Sequence, residues 1–236
     1  MSPSTLSPKG VDVSRMFGRI ARRYDLANRI LSFGLCVHWR NTFVAEAVAL
    51  KPKQVADLAT GSGDVAFALR AALPESTHVT GYDFCEPLLE IARERIAKES
   101  TQGLSFQSGD CMHLPLADNA VDVVTIAYGV RNFEDRPKGL RELRRVVRTG
   151  GSVLILEFSQ PVVWFRPLHF IHVRMIAPIV ATMLTGDLAA YRYLGTSIAG
   201  FPDADGLSAE LRAAGFSAVR CRQMLFGTVA MHIATA

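Results

Sequence analysis

The stretch Val55-Ala56-Asp57-Leu58-Ala59-Thr60-Gly61-Ser62-Gly63-Asp64-Val65-Ala66 decides the fold. Its first four residues form a short apolar run that suits a strand buried in a parallel sheet. Gly61 and Gly63 follow, and then Val65-Ala66-Phe67-Ala68-Leu69 has helical spacing with no breaker before Pro74. Strand, glycine turn and helix open a nucleotide-binding α/β domain, because glycine lets the backbone turn sharply and approach a ligand with no Cβ in the way. Asp57 lies at the strand end, where a carboxylate can meet a positively charged ligand group. Gly61 to Ala66 also fits G-x-G-x-x-A, a permitted form of the dinucleotide fingerprint, with a plain glycine turn as the bland alternative.

The next strand end decides more. Val79-Thr80-Gly81-Tyr82-Asp83 is a second strand whose last residue stands about twenty positions after the turn, where a carboxylate meets ribose hydroxyls. Nicotinamide enzymes and S-adenosylmethionine enzymes share that arrangement. Further on, Glu86 to Lys98 reads as a helix with proline in its first turn. Leu104 to Gln107 is a third strand, followed by Asp110, a polar residue placed to read an adenine amino group. Val121 to Ala127 is a fourth strand, Arg136 to Val147 a helix, and Ser152 to Phe158 a fifth strand after the turn Gly150-Gly151. Trp164 to Leu184 and Leu188 to Ile198 are apolar helices. Asp205 to Ala214 is the last helix, and Val219 to Cys221 with Met224 to Ala234 form a closing antiparallel pair.

This alternation predicts an α/β fold with a doubly wound, mostly parallel sheet. Its ligands bind outside the carboxyl ends of the strands. Asp57, Gly61, Ser62, Gly63, Asp83, Asp110 and Ala127 fall at such ends, and Ala59, Phe84 and Cys111 beside them complete the expected cofactor set. Residues 1–10 read as a disordered tail, 11–50 as an N-terminal helical lid and 51–160 as the nucleotide-binding core. Residues 161–202 read as a helical substrate cap, and 203–236 as the last helix and strands of the core.

Composition narrows the partners. A net charge of +4, from 26 basic and 22 acidic residues, is too small to argue for nucleic acid, though it favours an anionic membrane surface. A mean hydropathy of +0.19 is high for a soluble protein and points to an apolar partner or pocket. The four cysteines have no metal spacing and no C-x-x-C pair, which fits a reduced cytoplasmic setting and no metal. No signal peptide is visible. The apolar region from Pro161 to Leu184 is interrupted by Arg166, His169, His172, Arg174 and three prolines, counting Pro161 itself. Its uncharged runs fall far short of the ~20 residues that span a bilayer. The first predicted helix, Val11 to Ile30, carries Arg15, Arg19, Arg22 and Arg23, and as a basic amphipathic helix it can touch lipid head groups transiently at the inner face of the membrane.

Four stretches resemble the UbiE-type C-methyltransferases of ubiquinone and menaquinone biosynthesis. The first is Tyr24-Asp25-Leu26-Ala27-Asn28 with Leu31-Ser32-Phe33-Gly34 and His38-Trp39-Arg40; the second is the glycine loop, Asp57 to Asp64. The third is Tyr128-Gly129-Val130-Arg131-Asn132-Phe133 with Leu156-Glu157-Phe158-Ser159. The fourth is Tyr191-Arg192-Tyr193-Leu194 with Ser197-Ile198, Phe201-Pro202, Gly227 and His232. The glycine loop is shared by many methyltransferases, whereas the Gly-Val-Arg-Asn and Tyr-Arg-Tyr-Leu stretches are much more specific. The resemblance implies a class I methyltransferase sheet and S-adenosyl-L-methionine as cofactor. It also implies a lipophilic quinol substrate, and it leaves room for a homodimer.

The resemblance further implies roles. Arg131 is the candidate cation for a ring phenolate, against a structural salt bridge to Glu134 or Asp135. Asn132, Tyr193, Arg192 and His232 are candidates for positioning or proton transfer, and His232 has a hydrogen-bonded strand histidine as its alternative. Tyr24, Asn28, Ser32, Trp39 and Arg192 are the expected substrate contacts, although a tryptophan in such a helix is more often core than ligand platform. The chain departs from the family pattern at Thr60 (usually Gly), Ser62 (usually Thr), Asp110-Cys111 (usually Asn-Ala) and Ala127 (commonly Ser). Near the cap it departs again at Gly186 and Thr196. The expected reaction is C-methylation of a demethylmenaquinol, with a ubiquinone-precursor benzoquinol as the alternative acceptor. A nicotinamide oxidoreductase and a non-enzymatic quinone-binding protein are the rivals from other classes.

Overall fold

Seven strands form one sheet in the order β3-β2-β1-β4-β5-β7-β6. The structure, a computed structural model, describes residues 29–236 together with Arg15, Met16, Gly18, Leu26 and Ala27; the side chains of 181, 184, 185, 190 and 191 lie outside the description. Most of the expected first helix is therefore outside it, including Tyr24 and Asn28. The elements run α1 (Leu35–Ala49), β1 (Gln54–Leu58), α2 (Asp64–Ala72), β2 (His78–Asp83), α3 (Glu86–Glu99), β3 (Leu104–Ser108) and β4 (Val121–Ala127). They continue with α4 (Arg136–Val146), β5 (Val147–Phe158), α5 (Arg166–Ile171), α6 (Ala177–Thr185), α7 (Leu188–Ala199), α8 (Ala204–Ala213), β6 (Ala218–Met224) and β7 (Val229–Thr235).

Strands β1 to β5 pair in parallel, and β7 runs antiparallel to both β5 and β6. The near-continuous apolar runs of β1, β4 and β5 are explained by cover on both faces. On one face lie Leu140 and Leu143 of α4 and Leu207 and Leu211 of α8. On the other lie Trp39 and Phe43 of α1, Leu69 of α2 and Leu89 of α3. This is the doubly wound sheet expected from the sequence, with its closing antiparallel strands. Strand order reverses between β1 and β4, which puts the ligand crevice above their carboxyl ends.

Three local differences have physical causes. Gly150-Gly151 is not a turn before β5 but a bulge within it: Val121 pairs with Val147, yet Val123 pairs with Ser152. Gly150 has φ 76°, and a Cβ on Gly151 would stand 2.6 Å from the Asp122 carbonyl oxygen. The closing hairpin turns at Leu225-Phe226-Gly227, all three with positive φ, so β7 begins at Val229 rather than Met224. The single helix expected over 164–184 is divided into α5 and α6 by a wide π-type turn at His172–Ile176. Pro178 lacks an N–H and its ring collides with the carbonyl one turn back, which opens the helix there.

Candidate functional site

One cavity of about 950 Å³ opens above the carboxyl ends of β1, β2 and β4. Asp57, Ala59, Gly61, Ser62, Asp83, Phe84, Asp110, Cys111 and Ala127 line it. Gly63 does not. It takes φ 88° at the start of α2, and a Cβ there would lie 2.6 Å from Phe106 Cζ, so its contribution is steric. Asp83 organises the loop: its Oδ2 accepts from Gly61 N and its Oδ1 from Cys85 N, both at 2.8 Å. Each carboxylate oxygen keeps a further lone pair for a ligand hydroxyl. Burial pushes the Asp83 carboxyl above its usual range, against those backbone hydrogen bonds. Asp110 Oδ1 accepts from Met112 N at 2.8 Å, which fixes the third carboxylate.

Asp57 is buried in a different way. Thr60 and Thr125 hydroxyls each donate to one of its oxygens at 2.6 Å. Thr60 is one of the departures from the family pattern, so this chain adds a hydroxyl to its first strand end. Burial raises the Asp57 carboxyl to about 6, the two hydroxyls opposing it. The proton-bound form is thus favoured in the fold. Its contribution to stability is complete below about pH 4, and is lost as pH rises through about 6. The ionised carboxylate then costs on the order of 3 kcal/mol. A cation from a ligand would offset that cost. Asp57→Asn keeps both hydroxyl contacts, since a hydroxyl accepts as well as donates. Without ligand the variant is expected to melt about 5 °C or more above the parent at pH 8, with the gap closing near pH 4. Equal melting at pH 8 would contradict the buried, uncompensated charge.

The expected catalytic set divides. Asn132 lines the cavity, and its Oδ1 accepts from the Tyr193 hydroxyl at 3.1 Å. Tyr193 itself stands behind Asn132, off the cavity wall. Arg131 is turned away. Its side chain is 1% exposed, its Nη1 lies 2.8 Å from Glu157 Oε1, and it also donates to the Tyr128 carbonyl oxygen. Its guanidinium lies 5.3 Å from the Phe158 ring centre. The partner is therefore Glu157, not Glu134 or Asp135, and neither member of the pair reaches the cavity. The pair holds the loop that carries Tyr128 and Asn132. His232 is likewise corrected: it is buried in β7, and its Nε2 donates to the Ala204 carbonyl oxygen at 2.9 Å. Burial lowers its pKa and keeps it neutral, as befits a strand histidine holding α8 to the sheet.

Substrate-side expectations divide too. Trp39 is buried in the α1 core and also forms part of the cavity wall. Ser32 lines the cavity, but its hydroxyl accepts from Cys36 N at 3.2 Å and so serves the first turn of α1. Arg192 is exposed on α7 and outside the cavity, because α7 packs its Tyr193–Leu194 side toward the Val130–Asn132 turn. Tyr24 and Asn28 fall outside the described residues. Two groups were missed. Arg40, noted only within His-Trp-Arg, lines the cavity and reaches Asp64 at 3.3 Å. His169 and His172 line the apolar end with Phe165, Leu168 and Val173; in sequence they are two interruptions of a hydrophobic run, with nothing to show that both face one space.

Strand order, glycine loop and crevice together define the class I methyltransferase fold. A SAM-dependent methyltransferase from Thermotoga maritima, described as a possible histamine N-methyltransferase, superposes with a TM-score of 0.67 at 17% identity over 94% of this chain and 99% of its own. Another, from Aquifex aeolicus, gives 0.58 at 19% identity over 83% and 88%. These likenesses establish the fold alone. The ubiE/COQ5 methyltransferase family profile matches residues 6–236. A protein named demethylmenaquinone methyltransferase from Thermus thermophilus is 42% identical over 221 residues, 92% of this chain and 98% of that one. One named ubiquinone/menaquinone biosynthesis C-methyltransferase UbiE, from Geotalea daltonii, is 36% identical over 96% and 97%. The chain belongs to the ubiE/COQ5 methyltransferase family.

Proposed function

We propose that this protein transfers a methyl group from S-adenosyl-L-methionine to a ring carbon of a reduced, polyprenylated demethylquinol, with demethylmenaquinol as the acceptor. The observation that carries this reading is the two-ended cavity. Its polar end has the glycine loop and the carboxylates of Asp57, Asp64, Asp83 and Asp110, and its apolar end has the cap side chains, in one continuous space. A nucleoside ligand suits the first end and a lipophilic ring the second. Asp83 and Asp110 would hold the nucleoside, and Asp57 would balance the ligand's positive charge. The cofactor supplies a methyl group that is already electrophilic, so the protein's task is orientation and a more nucleophilic ring. The Arg131–Glu157 pair fixes the loop at that junction, and Tyr193 orients Asn132 within it. The benzoquinol alternative differs only in the ring that fills the apolar end. The relatives named for demethylmenaquinone favour the naphthoquinol. Calorimetric titration should give binding of S-adenosylhomocysteine and none of NAD; the reverse order would support the oxidoreductase reading instead.

The same reading includes transient contact with the membrane that holds the substrate. Among the described residues no helix is long and apolar enough to cross a bilayer. Yet Trp164, Phe170, Met175, Met183 and Phe226 are exposed, with the Trp164 and Phe226 rings 4.9 Å apart and the exposed Arg166 and Arg174 beside them. Apolar tips rimmed by arginine suit an anionic lipid surface. Flotation with anionic vesicles should show reversible binding that weakens as salt is raised and weakens again in a Trp164→Ser, Phe226→Ser double variant. Binding indifferent to salt, lipid charge and those two side chains would remove this part.

A further inference from the structure

We propose that His169, with His172 beside it on the cavity wall, accepts the ring-hydroxyl proton of the bound quinol. This rests on the methyl-transfer reading above and deepens it. A phenol ionises near pH 10, and its conjugate base is the form whose ring carbon attacks well. A base on the cavity wall would favour that form. The cation first expected to favour the phenolate, Arg131, is committed to Glu157 outside the cavity, and His232 is committed to Ala204.

The other charged groups that open on the cavity are poor alternatives. Asp57, Asp83 and Asp110 have oxygens occupied by hydroxyls or backbone N–H groups at the polar end. Asp64 is bridged by Arg40 and Arg95. Glu134 is exposed, and Arg29 is a cation. Burial brings Asp57 to about 6, but both its oxygens are taken by the Thr60 and Thr125 hydroxyls at the polar end. The thiol of Cys111 is pushed well up by burial and is protonated. Among the described residues, the two imidazoles bring basic ring nitrogens to the apolar end of the cavity, where the ring would lie.

Their setting suits the role. Both are half-buried, three residues apart across the end of α5, so they share one helix face. His172 has the Phe33 ring 6.0 Å away, which joins it to the segment before α1. Burial, and then the neighbouring His172, hold His169 below the usual imidazole range, so it is a free base at neutral pH. The step balances. The hydroxyl proton passes to the imidazole, the phenolate's electrons form the ring carbon–methyl bond, and the pair of the broken carbon–sulfur bond stays on sulfur. The ring carbon then loses its hydrogen to solvent as the imidazolium returns its proton to the oxygen. The net release is one proton per methyl group.

His169→Gln and His172→Gln test this in the full-length protein with demethylmenaquinol in vesicles. The parent kcat/KM is expected to fall only at acid pH, below the usual imidazole range, and His169→Gln to lose that acid limb together with at least about 10²-fold in kcat. Melting temperature and S-adenosylhomocysteine affinity should match the parent. A second readout needs no turnover. Naphthol binding to the S-adenosylhomocysteine complex should weaken as pH falls and the imidazole loses its acceptor nitrogen, and in His169→Gln it should be weaker and indifferent to that pH change. His169→Phe, which keeps the ring volume but has no basic nitrogen, should lose activity like the glutamine variant; near-parent activity in His169→Phe would show that the glutamine effect is cap packing and overturn the assignment. Near-parent kcat with an intact acid limb in both variants overturns the assignment to His169. A parent that binds S-adenosylhomocysteine but methylates no quinol overturns the proposed function beneath it, a distinguishable result.

Discussion

Replacing Arg131 by methionine is expected to lower the melting temperature by about 10 °C, with loss of activity following loss of fold. The reason is Glu157. Both side chains of the pair are 1% exposed. Removing one member of such a pair leaves the other charge uncompensated, which costs about 3–5 kcal/mol, and a domain of this length loses about 2–4 °C per kcal/mol. Glu157 also accepts from Arg131 N at 3.2 Å and Phe158 N at 2.8 Å, so an unpaired Glu157 disturbs two backbone segments of the cavity wall. Glu157→Gln should also be destabilising, because the buried guanidinium then loses the charge of Glu157. Thermal melts of both variants check this. An Arg131→Met protein that melts like the parent but has lost about 10²-fold in kcat would contradict the structural role and restore the arginine as a phenolate partner.

Asp83→Ala is expected to weaken S-adenosylhomocysteine binding by about tenfold to a hundredfold. Charge-assisted hydrogen bonds to ribose hydroxyls account for roughly 1.5–3 kcal/mol. The variant also frees Gly61 N and Cys85 N, whose bonds to the carboxylate set the glycine loop against β2. Asp83→Asn separates the two parts, since its amide keeps one acceptor for the loop and loses the charge. Its affinity should lie between parent and alanine variant in calorimetric titration. Unchanged affinity in a folded alanine variant would remove Asp83 from the cofactor site.

The sheet and the polar half of the site were legible because short-range chemistry writes them. Alternating apolar runs and glycine turns predict the parallel strands, and strand ends predict Asp57, Asp83 and Asp110 at one crevice. The rest depended on contacts distant in sequence. Glu157 is 26 residues from Arg131, and only the pairing of β4 with β5 brings them together. Ala204 is 28 residues from His232, and the packing of α8 on β7 decides that histidine's partner. His169 and His172 looked like breaks in an apolar run, since a helix face cannot be assigned to a cavity before the cap is placed. Gly150-Gly151 carries the composition of a turn, and only the register of β4 against β5 reveals a bulge.

The central claim is tested most directly by incubating the purified protein with methyl-labelled S-adenosyl-L-methionine and demethylmenaquinol in vesicles under reducing conditions, and locating the label in the product by mass spectrometry. The account predicts a labelled methyl group on a ring carbon of the naphthoquinol and an equal amount of S-adenosylhomocysteine. Label on a ring oxygen, or no labelled quinol from either a naphthoquinol or a benzoquinol while the folded protein binds S-adenosylhomocysteine, would contradict it.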